Sequence, residues 1–283
     1  MLTNTAPIPA LLNTWAEGPA GPVLTWYGLG SERVELTGTV LTNWVTKATN
    51  LLQEEADATP GVRVGLDLPP HWRTLVWALA VWNCGAEVVF PTGPGDFSAS
   101  GAVDVQVSAA PDAAVTPADA PAQASPSSSD TPTAPVRIAV ALPALARQVD
   151  DLPPGAIDGA AELMAQPDVL VFPPEWDPQA PALPDVLHGE LGESNGHGGL
   201  GSGEIDSGEI GAREAIGTSE TSSGETSSGE IGSGRYLLAP ETAEAAARQS
   251  LAVWCAGGSV VLVGDPTAGL DRIATQEDAH PLG

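Results

Sequence analysis

The sequence has 283 residues and a mass of 28.7 kDa, which is enough chain to bury a substantial hydrophobic core. Its formal net charge is −26, from 36 Asp and Glu against 10 Lys and Arg, and its single lysine is Lys47. This balance argues against nucleic acid and anionic membrane surfaces as partners, because binding to phosphates depends on Lys and Arg.

Cysteine usage and the N-terminal residues bear on the compartment. Cys84 and Cys255 lie far apart within apolar patterns, which is typical of buried thiols in a reducing environment rather than of a disulfide framework. Residues 1–21 lack a signal-peptide pattern, and the longest clean apolar run, 75–82, is too short to cross a bilayer. We therefore expect a cytoplasmic protein with no membrane association.

Hydrophobic periodicity in the first half of the chain predicts a hairpin followed by a βαβ unit. Apolar residues recur every second position in the predicted strands and every third or fourth position in the predicted helices. The predicted strands are 23–26, 34–36, 62–68 and 86–90, and the predicted helices are 39–59 and 71–84. The short joins around the second helix imply that the strands flanking it are parallel.

The second half contains further elements and ends in another βαβ unit. The predicted strands are 103–107, 136–142, 169–172, 236–239 and 259–263, and the predicted helices are 145–149 and 240–256. Together these elements predict one α/β domain over residues 1–283, with a mostly parallel sheet and helices on both faces.

Two segments have a composition that does not support packing. Residues 109–135 are rich in Ala, Pro, Ser and Asp, and residues 190–234 repeat Ser-Gly-Glu and carry a strong negative charge. The first has no periodicity and no aromatic residue, and the apolar content of the second is too low to offset the conformational entropy lost on ordering. We expect a loop insertion at the first segment and a disordered acidic insertion at the second.

Four common motifs of catalytic, phosphate-binding and metal sites are absent from the sequence. It contains no Gly-x-x-x-x-Gly-Lys loop, no Gly-x-Ser-x-Gly elbow, no Cys-x-x-Cys and no His-x-x-x-His pair. The cluster at 196–203 contains glycines but neither follows a strand nor opens a helix, so it is not a dinucleotide fingerprint. We predict no catalytic residue and no metal site.

A few side chains remain to be weighed as site residues. His71 follows a predicted parallel strand at the edge where α/β sheets usually bind ligands, so it is a candidate for cofactor binding, although local packing at a helix start also explains it. Glu175 and Asp177 stand two residues apart in a Pro-rich turn and are expected to face water. Four tryptophans fall on the buried faces of predicted helices and are expected in the core: Trp44, Trp72, Trp77 and Trp82.

Two stretches carry recognisable motifs. Residues 60–91 run from Pro-Gly-Val-Arg-Val-Gly-Leu-Asp-Leu-Pro-Pro through a Trp-rich helix to Cys-Gly-Ala-Glu-Val-Val-Phe-Pro, and residues 256–263 read Ala-Gly-Gly-Ser-Val-Val-Leu-Val. These stretches resemble the N-terminal part of the AMP-dependent synthetases, the adenylate-forming superfamily of acyl-CoA synthetases and adenylation domains. The likeness covers about half the chain and is greatest to a family of short actinobacterial proteins related to those enzymes.

The sequence departs from that superfamily at its phosphate-binding loop. In the enzymes a strand leads into a Ser/Thr/Gly-rich loop with Pro-Lys-Gly, whereas here 169–172 leads into 173–181, which has four prolines, Glu175 and Asp177. Proline removes backbone donors and carboxylates repel a triphosphate, so we expect no ATP binding of the family's kind. His188 matches only the position of the histidine in the following helix start.

The resemblance and its departures together imply a function. The sequence also ends at Gly283, before the motifs of the superfamily's later part and its catalytic lysine. We expect a non-catalytic module that binds a protein partner or a small acyl or adenine ligand and needs no cofactor. The alternative is a ligase component that forms acyl-adenylate or acyl-CoA with ATP, AMP or CoA in a site completed by another chain.

Overall fold

The computed structural model describes residues 7–109, 134–191, 231–265 and 267–282. The insertions predicted at 109–135 and 190–234 therefore lie almost entirely outside the described residues. The helices are α1 (Pro7–Glu17), α2 (Gly38–Ala56), α3 (Trp72–Asn83), α4 (Ala161–Ala165), α5 (Ala243–Cys255) and α6 (Leu270–Glu277). The strands are β1 (Pro22–Tyr27), β2 (Arg33–Thr37), β3 (Arg63–Asp67), β4 (Glu87–Val89), β5 (Val105–Ser108), β6 (Val136–Ala139), β7 (Ile157–Asp158), β8 (Pro181–Leu183), β9 (Val186–Leu187), β10 (Arg235–Leu238), β11 (Ser259–Val263) and β12 (His280–Pro281).

The strands form two five-stranded sheets and a small hairpin. The first sheet has the order β12-β10-β11-β1-β2 and the second the order β4-β3-β5-β6-β7, while β8 pairs with β9. Within the two sheets only β1 and β2 are antiparallel, and the other pairings are parallel. An α/β fold with mostly parallel strands is thus confirmed, but the strands are divided between two sheets.

A layer of helices separates the two sheets. Helices α2 and α5 pack on the first sheet, α3 packs on the second, and α3 contacts both α2 and α5. Every residue of α3 is buried, including Trp72, Trp77 and Trp82 at 2% exposure. The interior of α3, from Leu75 to Trp82, is apolar on every side, as expected for a helix that is covered all round, and its polar residues lie at its two ends.

The first sheet is covered on both faces. Val260 and Leu262 of β11 face the helix layer, whereas Val261 and Val263 pack with Ile273 of α6 on the opposite face. Successive side chains of a strand point to opposite faces, so a strand buried on both sides is an uninterrupted apolar run. Of the described helices, none has the length and apolar composition needed to cross a membrane.

Some predicted elements differ in the structure. Residues 145–149 are irregular rather than helical, and Leu145 is 92% exposed. Residues 169–172 are bent and exposed, so the predicted strand there is wrong. Cys84 is buried as expected, but Cys255 is exposed at the end of α5, and Trp44 is half-buried rather than part of the core.

Candidate functional site

His71 lies just past the carboxyl end of β3 and caps the N-terminus of α3. Its Nδ1 accepts a hydrogen bond from the Arg73 backbone N–H at 3.1 Å, and its ring meets the edge of Trp26 at a centroid distance of 4.6 Å. Burial, reinforced by the nearby positive charge of Arg73, lowers the pKa of His71 to about 3. The imidazole is therefore neutral and joins β1 of the first sheet to α3.

Arg73 spreads its guanidinium over two indole rings. The Cζ atom lies 4.5 Å from the ring centre of Trp72 and 5.2 Å from that of Trp44. The guanidinium also donates to backbone carbonyls of the loop after β6, at residues 142–144. Burial lowers the pKa of Arg73 to about 10, with Glu32 acting in the opposite direction, so the group stays charged at neutral pH.

Glu32 lies beside His71, Arg73 and their neighbouring indole rings, and together these side chains form a cluster between the two sheets. Its carboxylate accepts from the indole Nε1 of Trp26 at 3.3 Å and from the backbone N–H of Ala144 at 3.1 Å. His71 and Arg73, at the start of α3, are 5% exposed. The side chains of His71, Arg73 and Glu32 are paired with one another's neighbours or with backbone, and they tie the two sheets together. The indole Nε1 of Trp72 is buried in the same cluster without a hydrogen-bond partner among the described residues.

His188 is buried against the backbone just before the start of β4. It is 1% exposed, and its Nε2 lies 3.1 Å from the carbonyl oxygen of Ala86. Burial lowers the pKa of His188, although its hydrogen bonding to the backbone of Ala86 and Gly85 works against this. The structure therefore gives the two predicted histidines separate places, His71 at the start of α3 and His188 beside the β8–β9 hairpin.

The segment 173–181 is an irregular loop that ends in a turn over residues 177–180. Four of its nine residues are prolines without an N–H, and the N–H groups of Gln179 and Ala180 are bonded to the side-chain and backbone oxygens of Asp177. The carbonyl of Glu175 sits so close to Gly85 that a Cβ atom there would approach it to 2.5 Å. Glu175 and Asp177 are exposed, as expected.

An open cavity lies elsewhere, between α2, α4 and the segment 166–172. Its volume is about 630 Å³, and both acidic and apolar side chains line it. This cavity was not predicted from the sequence. The sequence offered one signal for it, the amide of Asn50 on the largely apolar buried face of α2, close to the acidic end of the same helix.

Asn50 holds the cavity wall in place. Its Nδ2 donates to the carbonyls of Pro167 and Val169 at 3.2 and 2.9 Å, and its Oδ1 accepts from the N–H of Val171 at 3.0 Å. One turn earlier, Lys47 forms an ion pair of 3.1 Å with Asp168. Two turns of α2 thus fix the backbone of 166–171. Across the described residues no group of three or more His, Cys, Asp or Glu is arranged to hold a metal ion.

Comparison with solved structures finds proteins of similar fold. The chain superposes on an acyl-CoA synthetase of Brucella canis with a TM-score of 0.62 and 15% identity, covering 97% of this chain and 46% of that one. It superposes on the amide bond synthetase McbA of Marinactinospora thermotolerans with a TM-score of 0.55 and 16% identity, covering 96% of this chain and 47% of that one. It also superposes on the N-terminal subdomain of Klebsiella oxytoca NpsA, solved in complex with 3-hydroxyanthranilyl-AMSN. The TM-score is 0.52 and the identity 13%, and the match covers 95% of this chain and 55% of that one. The protein has the fold of the N-terminal subdomain of these enzymes.

Sequence comparison adds one curated relative. A Mycobacterium tuberculosis protein, whose name is a family designation that states no activity, is 40% identical over 79 residues, or 28% of this chain and 32% of that protein. No protein-family profile matches the chain. The chain spans about a third of this relative and just under half of the acyl-CoA synthetase.

Proposed function

We propose that the protein is a non-catalytic relative of the adenylate-forming synthetases that acts as a binding or interaction module. The proposal rests on the segment 173–181. In the sequence resemblance this segment stands where the enzymes have their phosphate-binding loop. A phosphate cradle needs several convergent backbone N–H groups and a positive charge. Proline and the turn itself leave three backbone N–H groups in the segment, those of Glu175, Trp176 and Asp177, and the segment supplies no positive charge beside them.

The negative charge of the segment 173–181 also disfavours ATP binding. Glu175 and Asp177 are exposed and no Lys or Arg lies between residues 173 and 181. Two carboxylates beside a triphosphate would repel it at short range. His188, the residue that the resemblance assigns to the neighbouring helix start, is buried and bonded to the backbone of Ala86.

The two free thiols, neither in a disulfide, fit a cytoplasmic location.

The test is pyrophosphate exchange by the purified full chain with ATP·Mg²⁺ and a panel of carboxylic acids. We expect no exchange above a protein-free control. Exchange that co-purifies with the chain would refute the proposal. Thermal unfolding with ATP·Mg²⁺, AMP and CoA is the companion measurement, because a ligand at 100 times its Kd adds about 2.7 kcal/mol of stability.

A matched pair of variants checks the physical argument. The double variant Glu175→Gln with Asp177→Asn removes both charges and keeps the side-chain acceptor that bonds to Gln179. If charge repulsion excludes ATP, this variant should gain a thermal shift with ATP·Mg²⁺ that the parent chain lacks. The pair Glu241→Gln with Asp271→Asn, at exposed positions on other elements, should gain none.

One observation favours ligand binding within the same proposal. The NpsA subdomain is solved with a 3-hydroxyanthranilyl-AMSN molecule, and 95% of this chain superposes on it. A retained acyl or adenine pocket predicts a thermal shift with AMP or acyl-CoA and no exchange. The alternative, a ligase component completed by another chain, predicts exchange only after that chain is added.

A further inference from the structure

The cavity beside α2 has an acidic rim. Four exposed carboxylate side chains line it, and none of the described residues that line it is basic. We refer to these four as the acidic rim: Glu54, Glu55, Asp57 and Glu162. Gln53 also lines the cavity, and its Oε1 is buried without a hydrogen-bond partner among the described residues. This cavity, called the groove below, therefore presents hydrogen-bond acceptors and negative charge to a bound partner.

An apolar surface adjoins the acidic rim. Residues 169–172, the exposed apolar segment, are Val169 at 69%, Leu170 at 40%, Val171 at 53% and Phe172 at 55% exposure. Val171 and Phe172 line the cavity itself, so apolar and acidic groups share one groove. Four consecutive exposed apolar residues differ from the scattered single ones that protein surfaces normally carry.

The exposure of this segment is imposed by the fold. The bonds from Asn50 to Pro167, Val169 and Val171 tie the backbone to α2 and leave the apolar side chains outside the core. Asn50 is itself 2% exposed. A buried amide that makes three hydrogen bonds holds a fixed surface, so the groove is formed before any partner binds.

We infer that this groove docks a basic amphipathic helix of a partner protein. The apolar face of that helix would cover the exposed apolar segment, and its Lys or Arg side chains would meet the acidic rim. Charge complementarity selects this occupant, because a neutral apolar helix leaves the rim unpaired and an acidic helix is repelled by it. The inference rests on the proposed function, since it names the partner class of the interaction module.

The probe is a synthetic helix of about four turns, built from Lys and Leu with all leucines on one face. Its Kd for the full chain is measured by fluorescence anisotropy. We expect the double variant Val171→Ser with Phe172→Ser to weaken binding by about tenfold or more, since two apolar side chains that the bound helix would cover are lost. Glu55→Gln with Glu162→Gln should weaken it several-fold and flatten its dependence on salt.

Matched variants separate this groove from general attraction to an acidic chain. Leu29→Ser with Leu145→Ser removes two other exposed apolar side chains, and Glu241→Gln with Asp271→Asn removes two other charges. Both pairs should leave Kd within about twofold of the parent. Equal losses in the groove and control variants, or equal binding of a peptide with Glu in place of Lys, would overturn the inference.

Measurements of oligomeric state and of pyrophosphate exchange also test the docking inference. Sedimentation showing that the chain dimerises, with loss of the dimer in the Val171 and Phe172 variant, would replace the helix with a second copy and refute the inference. Pyrophosphate exchange by the chain would refute the proposed function while leaving peptide binding at the groove measurable, so the two failures are distinguishable.

Discussion

Glu277, at the end of α6, is the group whose removal tests the electrostatics of this fold best. Its side chain is 7% exposed and lies 2.8 Å from Nη2 of both Arg33 and Arg235, and it accepts a hydrogen bond from Tyr27. Burial alone would raise its pKa, but these three hydrogen bonds prevail and hold the pKa of Glu277 at about 2. The carboxylate thus anchors α6 to β1, β2 and β10.

The expected loss on Glu277→Gln follows from that pKa. A value of about 2, against the usual 4.5, corresponds to about 3 kcal/mol in favour of the ionised form, because a tenfold change in proton affinity is worth about 1.36 kcal/mol. The folded-state pKa is depressed, so this stability is present above pH 4.5 and is lost as the pH falls toward 2. The variant should lose about 3 kcal/mol at pH 7 and about 1 kcal/mol at pH 3.

Urea unfolding of the parent and variant at both pH values measures the difference. The matched control is Glu35→Gln, which also pairs with Arg33 at 2.8 Å but is 46% exposed. An exposed pair of this kind contributes about 0.5 kcal/mol or less. If Glu277→Gln costs no more than Glu35→Gln, or costs the same at pH 3 as at pH 7, the assigned role of Glu277 is wrong.

Three further predictions concern packing and exposure. Gly264→Ala should lower the unfolding free energy by about 3 kcal/mol or more in thermal melts, because a Cβ atom would lie 1.9 Å from the Trp26 ring. Asn50→Ala should cost about 2 to 3 kcal/mol in urea unfolding, because three hydrogen bonds to one segment are lost. Iodoacetamide should modify Cys255 in the native protein well before Cys84, as mass spectrometry would show, because only Cys255 is exposed.

Each of these has a control within the chain. Gly93→Ala adds a Cβ atom with nothing within 4 Å and should change stability by less than about 0.5 kcal/mol. Gln53→Ala, on the same helix as Asn50, removes a side chain for which the structure records no hydrogen bond and should be similarly mild. In urea both thiols should react, so equal rates in the native state would contradict the assigned burial of Cys84.

The failed predictions share a physical cause. The apolar run 169–172 has the composition of a strand, but its backbone bonds to the side chain of Asn50 rather than to a neighbouring strand. Residues 145–149 have helical spacing, yet Leu145 finds no surface to pack on. Periodicity reports which side chains could be buried together, whereas burial itself depends on a partner surface distant in the sequence. Helix α1 shows the converse, since Ile8, Leu12 and Trp15 have helical spacing that the sequence analysis did not use.

The candidate sites show the same limit. The sequence places His71 at a helix start after a parallel strand, and it lies there. Its neutral, enclosed state depends on Trp26 and Arg73, and the carbonyls that hold Arg73 come from 142–144, about seventy residues further along the chain. The burial of His188 against Ala86 depends likewise on a contact between distant segments.

Local chemistry alone determined the hairpin, the two βαβ units and the capping turns, because spacing, glycine and proline act over a few residues. Gly85, for example, adopts the left-handed φ of +77° that ends α3, as its position after an apolar helix predicts. The tertiary structure decided the division into two sheets, the enclosure of α3 between them and the groove beside Asn50. These features arise from packing between segments far apart in the chain, where the free energy depends on which surfaces meet rather than on the pattern of either one.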